Sequence, residues 1–366
     1  MDGALLVDKP CGPTSHDVVA FARRALGTRR IGHTGTLDPL ATGLLVLLVG
    51  HATRLAQFLA GDEKEYVADV RLGAATPTYD AQSVGESFRL KAEATGQPEG
   101  TGEAEATSAA EATSAAEGSQ AEATSAAEGS EAEATSESEA SAAEATSEPN
   151  RSKDGGFRLQ AEDLQQALTR FVGTYQQRPP PFSAKKVGGV RAYEKARRHE
   201  PVELEPVEVT VRELDLLTAA SPTSAFPVPC LVRLRIVCSA GFYVRSLAHD
   251  LGAALGCGGH LEALRRTRAG RFRVDDAVTL DALEATGPGR MISVNDLLGE
   301  MPEVRLTAEG LRRAGNGNTL APGHLASPSG HFRSGDRARV LDASGEVLTV
   351  AEYRADGLLH PLLVLR

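Results

Sequence analysis

Apolar residues recur along this chain in two different rhythms. Ala4 to Val7 and Leu44 to Val49 are unbroken apolar runs, the second closed by Gly50, and both predict short buried strands. Elsewhere the rhythm is strict alternation. Tyr66, Ala68, Val70 and Leu72 alternate with Glu65, Val67, Asp69 and Arg71. Val207, Val209 and Val211 alternate in the same way. Val232, Leu234, Ile236 and Cys238 fall on one face of a further strand, with Arg233, Arg235 and Val237 on the other. A period of two predicts sheet strands with one buried face. Between them lie helical signals. Ser15 is placed to cap a helix through Leu26, ended by Gly27. Leu164, Leu168 and Phe171 recur at helical spacing before Gly173, and Tyr243 to Leu255 reads as a helix closed by Gly256. The strands are too many and too regular for a helical bundle, so the pattern predicts a mixed α/β (α+β) class. After about Pro302 the character changes. Ala338 to Leu341 and Val347 to Ala351 are short β runs around the turn Ala343-Ser344-Gly345-Glu346, which predicts a small, turn-rich β domain.

One stretch breaks both rhythms. Between Leu90 and Phe157 no large apolar residue occurs, and the nonamer EATSAAEGS stands at 111–119 and again at 122–130. Such a tract has nothing to bury against the entropy lost on ordering. Residues 90–156 are therefore expected to form a disordered acidic insertion. The insertion also alters the charge balance. The whole chain carries −10, but residues 92–150 hold 14 Glu and no Asp, Lys or Arg, leaving +4 on the remainder. A mildly basic foldable part permits a nucleic-acid partner without requiring one.

The start shows no charged segment leading into an apolar one, so no secretory signal is expected. Leu44 to Val49 is far shorter than the roughly 20 residues that span a bilayer. The four cysteines, at 11, 230, 238 and 257, form no C-x-x-C pair, which suggests neither a zinc ribbon nor a disulfide framework. The expectation is a cytoplasmic protein with reduced cysteines and no membrane association.

The densest chemical signal is Gly32-His33-Thr34-Gly35-Thr36-Leu37-Asp38-Pro39-Leu40-Ala41-Thr42-Gly43. Three glycines in so short a string imply tight turns or close backbone approach. Pro39 pushes Asp38 toward extended geometry, just ahead of a buried strand. An acid presented from a rigid element is how catalytic groups are often placed, although a lone Asp before Pro is an ordinary turn residue.

The whole string resembles the catalytic motif of the bacterial TruB family of pseudouridine synthases. Further stretches resemble that family in the same order: Leu6 to Pro10, Lys64 to Tyr66, Gln177 to Ala184, Cys238 to Arg245, and Leu251-Gly252 through Leu264-Arg265-Arg266. The resemblance implies a pseudouridine synthase catalytic domain over residues 1–300, interrupted by the insertion, and a PUA-like RNA-binding domain over 301–366. It implies isomerisation of uridine to pseudouridine in the T-loop, position 55, of tRNA. The reaction breaks the N1 glycosidic bond, turns the base and forms a bond to C5. It needs no redox change or phosphate energy, so no cofactor or metal is implied.

By the resemblance, Asp38 is the nucleophile and Arg245 is the arginine that grips a carboxylate in a forked geometry. Tyr66 stacks on the target base and helps move its proton, and Tyr243 is placed to bind that base. His33 fills the space left when the uridine is extruded. Leu264 contacts the base through its main chain, though a plain core leucine fits equally well. Taken alone, Tyr66 reads as a strand aromatic and His33 as a turn histidine. Phe242 and Phe182 depart from the family pattern, standing where hydroxyl-bearing Thr and Tyr are usual. Basic residues form two groups: Lys185, Lys186, Arg191, Lys195, Arg197 and Arg198, then Arg265, Arg266 and Arg268. Each fits RNA-backbone contact or a solvated charged face. The partner expected is the T-arm of tRNA without a guide RNA. Two rivals are a guide-RNA-dependent synthase and a non-catalytic RNA-binding or RNA-folding protein. Low Lys content speaks against the first, and intact Asp38, Tyr66 and Arg245 against the second. Nothing in the pattern specifies an oligomeric state.

Overall fold

The computed structural model describes residues 2–83, 158–183, 185–187, 189–198, 204–218, 226–286, 291–326 and 332–365. The expected acidic insertion at 90–156 lies outside the described residues.

The long apolar runs become the centre of a ten-stranded sheet. Gly3–Lys9 pairs antiparallel with Ala41–Val49, which pairs parallel with Gly259–Ala269. Gly259–Ala269 pairs antiparallel with Lys64–Leu72, and Cys230–Cys238, Val207–Thr218 and Gly173–Gln177 extend the sheet beyond it. The Leu44–Val49 run has no polar alternation because both its faces are covered. Leu45, Leu47 and Val49 enter one apolar cluster, whereas Leu44, Val46 and Leu48 enter a second. Alternation survives where one face meets solvent. Ala68, Val70 and Leu72 are fully buried, and on the opposite face Asp69 accepts from Arg233 Nε at 2.6 Å and Nη2 at 2.8 Å.

Helices Ser15–Ala25, Ala161–Thr169 and Val244–Ala254 cover the first cluster. The last lies so close to the sheet that a Cβ on Gly252 would meet the Gly259 nitrogen at 2.1 Å. Ser15 proves not to be the cap of the first helix. Thr14 takes that position and forms a capping box: Asp17 N–H donates to Thr14 Oγ1 at 3.1 Å, and Thr14 N–H donates to Asp17 Oδ2 at 2.8 Å. This releases the Ser15 hydroxyl for a task described below. Phe171 falls just outside its helix, in the turn before Gly173.

Glu303–Arg305, Arg337–Leu341, Val347–Tyr353 and Leu359–Val364 form a separate four-stranded sheet, around the turn expected there. It is two-sided. Leu348 and Ala351 pack with helix Ala308–Gly315 residue Ala314 in a local cluster. Val347, Val350, Leu363 and Leu365 instead join Leu6, Leu44 and Leu48 in the second cluster under the large sheet. Among the described residues no helix is long and apolar enough to cross a membrane.

Gly259–Ala269 has no counterpart in the periodicity. Register shifts between Leu261 and Ala263, and between Arg266 and Arg268, interrupt its period of two. Four charged residues then fall on both parities, so it does not read as a strand.

Candidate active site

Asp38 sits on the loop between strand Ile31–His33 and strand Ala41–Val49, and the main chain around it is tied from four directions. Ser15 Oγ donates to Leu37 O at 3.0 Å and accepts from Leu37 N–H at 2.8 Å. Lys9 is fully buried, and its Nζ donates to Pro39 O at 3.3 Å, Ala41 O at 2.6 Å and Pro10 O at 2.9 Å. Burial pushes the Lys9 ammonium down, with Cys11 and Asp38 acting in the opposite sense. Gly12 N–H donates to Pro39 O at 2.9 Å. From the neighbouring strand, Arg266 donates through Nε to Leu44 O at 2.7 Å and through Nη2 to Gly35 O at 3.1 Å, with Nη1 at 3.5 Å from Thr36 O. That strand approaches closely because residue 43 is glycine: its φ is +98°, and a Cβ there would meet Arg266 O at 2.3 Å.

The carboxylate itself stays reachable, with 37% of the Asp38 side chain exposed. Arg245, in the first turn of helix Val244–Ala254, is buried beside it. Its Nε stands 2.9 Å from Asp38 Oδ2, but the N–H is not aimed along that line, so the contact is an ion pair without an aligned hydrogen bond. The other nitrogens point elsewhere. Nη2 donates to Phe182 O at 3.0 Å, and Nη1 to Thr78 O at 3.2 Å and Asp80 Oδ2 at 3.4 Å. Asp80 is buried, and its Oδ1 accepts from Thr78 Oγ1 at 2.7 Å and Gln82 N–H at 3.1 Å. One guanidinium therefore serves two carboxylates. Asp80 is sealed and satisfied, whereas Asp38 faces outward.

The helix start is fixed by Gln177, whose buried amide accepts from Tyr243 N–H at 2.9 Å and donates to Tyr243 O at 3.0 Å. One turn on, Ser246 Oγ donates to Arg178 O at 2.8 Å. The segment 177–182 is thereby stitched along the helix that carries Arg245.

Tyr66 lies opposite Arg266 in one strand pairing and opposite Ile236 in the other. Leu264 lies opposite Ala68 and Ala41, and Thr42 Oγ1 donates to its carbonyl at 3.3 Å. Burial raises the phenols of both Tyr66 and Tyr243, and Asp38 adds to the rise in each case. Both therefore remain protonated donors near the Asp38 carboxylate. His33 meets His16 edge-on with centroids 5.7 Å apart, and its Nδ1 is buried with no hydrogen-bond partner among the described residues. Burial, then His16 and Arg266, hold its pKa below the ordinary 6.5. The unfolded chain accepts a proton there more readily than the folded one, so His33 lowers stability under acid conditions. The loss begins as pH falls through 6.5 and is complete below the depressed folded value. Wild type should lose more stability than His33→Asn between about pH 7 and pH 5 in urea titrations. Equal slopes for the two proteins would count against this environment.

A loop tied by Ser15, Lys9 and Arg266 thus presents one partly exposed carboxylate, with a buried cation beside it. The sequence model described as "TruB family pseudouridylate synthase (N terminal domain)" matches residues 23–98 and 123–244.

The chain belongs to the TruB family.

The family's tRNA pseudouridylate synthase B C-terminal domain model matches residues 245–287. The tRNA pseudouridine synthase B of Solibacter usitatus is 37% identical over all of both chains. The protein of the same name from Thermobifida fusca is 38% identical, covering 99% of this chain and 98% of its own. Among solved structures, an archaeal box H/ACA sRNP Nop10-Cbf5 complex matches with a TM-score of 0.59 at 19% identity, covering 100% of this chain and 86% of that one. At that identity the likeness shows a shared fold alone.

Within this TruB-family chain the structure gathers Asp38, Arg245, Tyr66, Tyr243, Leu264 and His33 around one loop. Two expectations need correction. Arg245 does not grip Asp38 in a fork, because its paired nitrogens are engaged by Thr78, Asp80 and Phe182. Arg266 is not a surface contact for RNA. It is 2% exposed, and its guanidinium is directed to main-chain carbonyls under the Asp38 loop. Arg265 stays at the surface, paired to Asp8 at 3.0 and 2.8 Å. Lys185 is half-buried, with Nζ at 3.3 Å from Glu205 O. Lys186 and Arg191 lie on the paired strands Lys186–Val187 and Val190–Arg191, Arg197 ends helix Ala192–Arg197, and Arg198 is exposed. The missing hydroxyl of Phe182 matters little to Arg245, since that position contributes its main-chain carbonyl. Lys9 and Asp80 are not singled out by the sequence, and Ser15 only as a helix cap. Lys9 lay within a quoted motif, but nothing local marks Asp80.

Proposed function

We propose that the chain converts uridine to pseudouridine in the T-loop of tRNA, with Asp38 as the nucleophile. The observation that carries this reading is the outward-facing Asp38 carboxylate backed by the buried Arg245 guanidinium. The buried cation faces this carboxylate, and a carboxylate is the form able to attack. The names of the full-length relatives support tRNA as the substrate.

Attack spends the carboxylate charge in a new C–O bond and release restores it; Arg245 stands beside Asp38 at both stages, and the tied loop holds the carboxylate in position. Tyr66 offers a flat face to the extruded uracil and a protonated hydroxyl for proton transfer. Tyr243 closes the other side of the base. Leu264 presents its main chain from the bulged strand. A base in a folded T-loop must leave its stack to reach Asp38, and neutral His33 takes the vacated place. The same reading divides the chain into a synthase domain, residues 1–300, and a PUA-like RNA-binding domain, residues 301–366. Lys185, Lys186, Arg191, Arg197, Arg198 and Arg265 supply phosphate contacts that orient the tRNA without reading its bases.

The test is purified protein with an unmodified tRNA transcript and no other RNA. Pseudouridine should appear at a single T-loop uridine. Product formed only after a guide RNA is added would replace this reading with the guide-dependent one. Binding without product would leave an RNA-binding protein. The same transcript tests the phosphate contacts. Affinity should fall by at least about tenfold between roughly 50 and 200 mM salt as counterions compete. A salt-independent affinity would exclude the basic residues from the interface.

A further inference from the structure

Thr78 and Asp80 both reach Arg245, and the residue between them adopts an unusual backbone. Tyr79 has φ of 63° and is the one non-glycine with positive φ among the described residues. A side chain with a Cβ disfavours this region and remains there only where its surroundings hold it. Tyr79 N–H donates to Thr76 O at 3.1 Å, and its carbonyl accepts from Leu261 N–H at 3.0 Å. Its ring stacks on His249 with centroids 3.8 Å apart and planes 11° from parallel. His249 lies four residues after Arg245 on the same helix, so the two side chains leave one face a turn apart. The His249 Nδ1 is buried with no hydrogen-bond partner among the described residues, which leaves the stack as the ring's visible anchor.

The turn has a geometric result. Thr78 O and Asp80 Oδ2 converge on a single nitrogen, Arg245 Nη1, at 3.2 and 3.4 Å. A left-handed residue between them lets a carbonyl and a carboxylate two positions on face one atom. We propose that Tyr79 is a positioning residue for the isomerisation: its stack on His249 locks the turn through which Thr78 and Asp80 hold Arg245 against Asp38. Tyr79 touches no reacting group in this scheme. The inference rests on the reading of Asp38 as the nucleophile.

Three single variants, one double variant and a reserve variant test it, with kcat and KM measured on a tRNA transcript alongside a thermal melt. Tyr79→Gly eases the backbone but removes the ring. His249→Ala removes the stack from the other side. Tyr79→Phe keeps the ring without its hydroxyl. Tyr79→Gly and His249→Ala should each lower kcat about tenfold with KM within about twofold, since small misplacements of a catalytic group are costly. The double variant should be no slower than either single one, because both remove one contact. Tyr79→Phe should restore kcat to within about twofold of wild type. If His249→Ala fails to melt cooperatively, His249→Phe, which keeps a stackable ring, should retain near-wild-type kcat. Wild-type kcat in Tyr79→Gly would overturn the proposal. So would a raised KM at unchanged kcat, which would make the ring an RNA contact, or failure of Tyr79→Phe to rescue. Absence of turnover by the wild type would remove the underlying reading. Normal wild-type turnover with an indifferent Tyr79→Gly would remove only this inference.

Discussion

Asp38→Asn is expected to lower turnover by about 10⁴-fold or more, the scale seen when a covalent nucleophile is removed. Binding of tRNA should stay within about threefold of wild type. The amide matches the carboxylate in shape but cannot attack. The rest of the site has independent support. Arg245 keeps Asp80, Thr78 O and Phe182 O, and the loop keeps Ser15, Lys9 and Arg266. The substitution should therefore separate chemistry from assembly. Single-turnover pseudouridine formation and tRNA binding, measured on one preparation, provide the comparison. Activity within about tenfold of wild type would correspond to only about 1.4 kcal/mol of barrier and would defeat the nucleophile assignment.

Arg266→Met should produce the largest loss of stability, about 3 kcal/mol in urea denaturation, with kcat falling alongside. Methionine fills part of the space but leaves Leu44 O and Gly35 O without their donors. A buried polar group that loses its partner costs about 1–3 kcal/mol. Gly35 and Thr36 lead into Asp38, so the loop should loosen as well. Arg265→Met offers the contrast. That side chain is paired to Asp8 at the surface, and its removal should change stability by at most about 1 kcal/mol. If Arg266→Met kept its urea midpoint and lost only RNA affinity, the buried clamp would be wrong and a phosphate contact restored.

These adjacent arginines show what a linear pattern conveys. Their shared charge suggested RNA contact for both, yet they occupy opposite faces of one strand. Two register shifts conceal which face each takes. Leu44 to Val49 was legible for the opposite reason: a strand covered on both faces writes that condition as an uninterrupted apolar run. Asp38 was legible as a candidate nucleophile only through the family resemblance of its whole string, since its glycines and proline alone indicate a turn. Asp80 was not, because its role arises from Arg245, 165 residues away in sequence. Lys9 was visible only as part of a motif. Its burial depends on Pro39 and Ala41 folding over it.

The strand Ala41–Val49 is made early in synthesis, but its neighbours arrive late. One edge pairs with Gly259–Ala269, and one face is covered in part by Leu341, Val347, Val350, Leu363 and Leu365. A chain still emerging from the ribosome therefore holds Leu6, Leu44, Val46 and Leu48 only partly covered until Leu341 to Leu365 have emerged. Contacts so distant in sequence close slowly. Prematurely terminated products would carry that apolar surface in the open, where chaperones and proteases act on it. The sheet formed by Glu303–Arg305, Arg337–Leu341, Val347–Tyr353 and Leu359–Val364 thus completes the burial of a strand synthesised long before it.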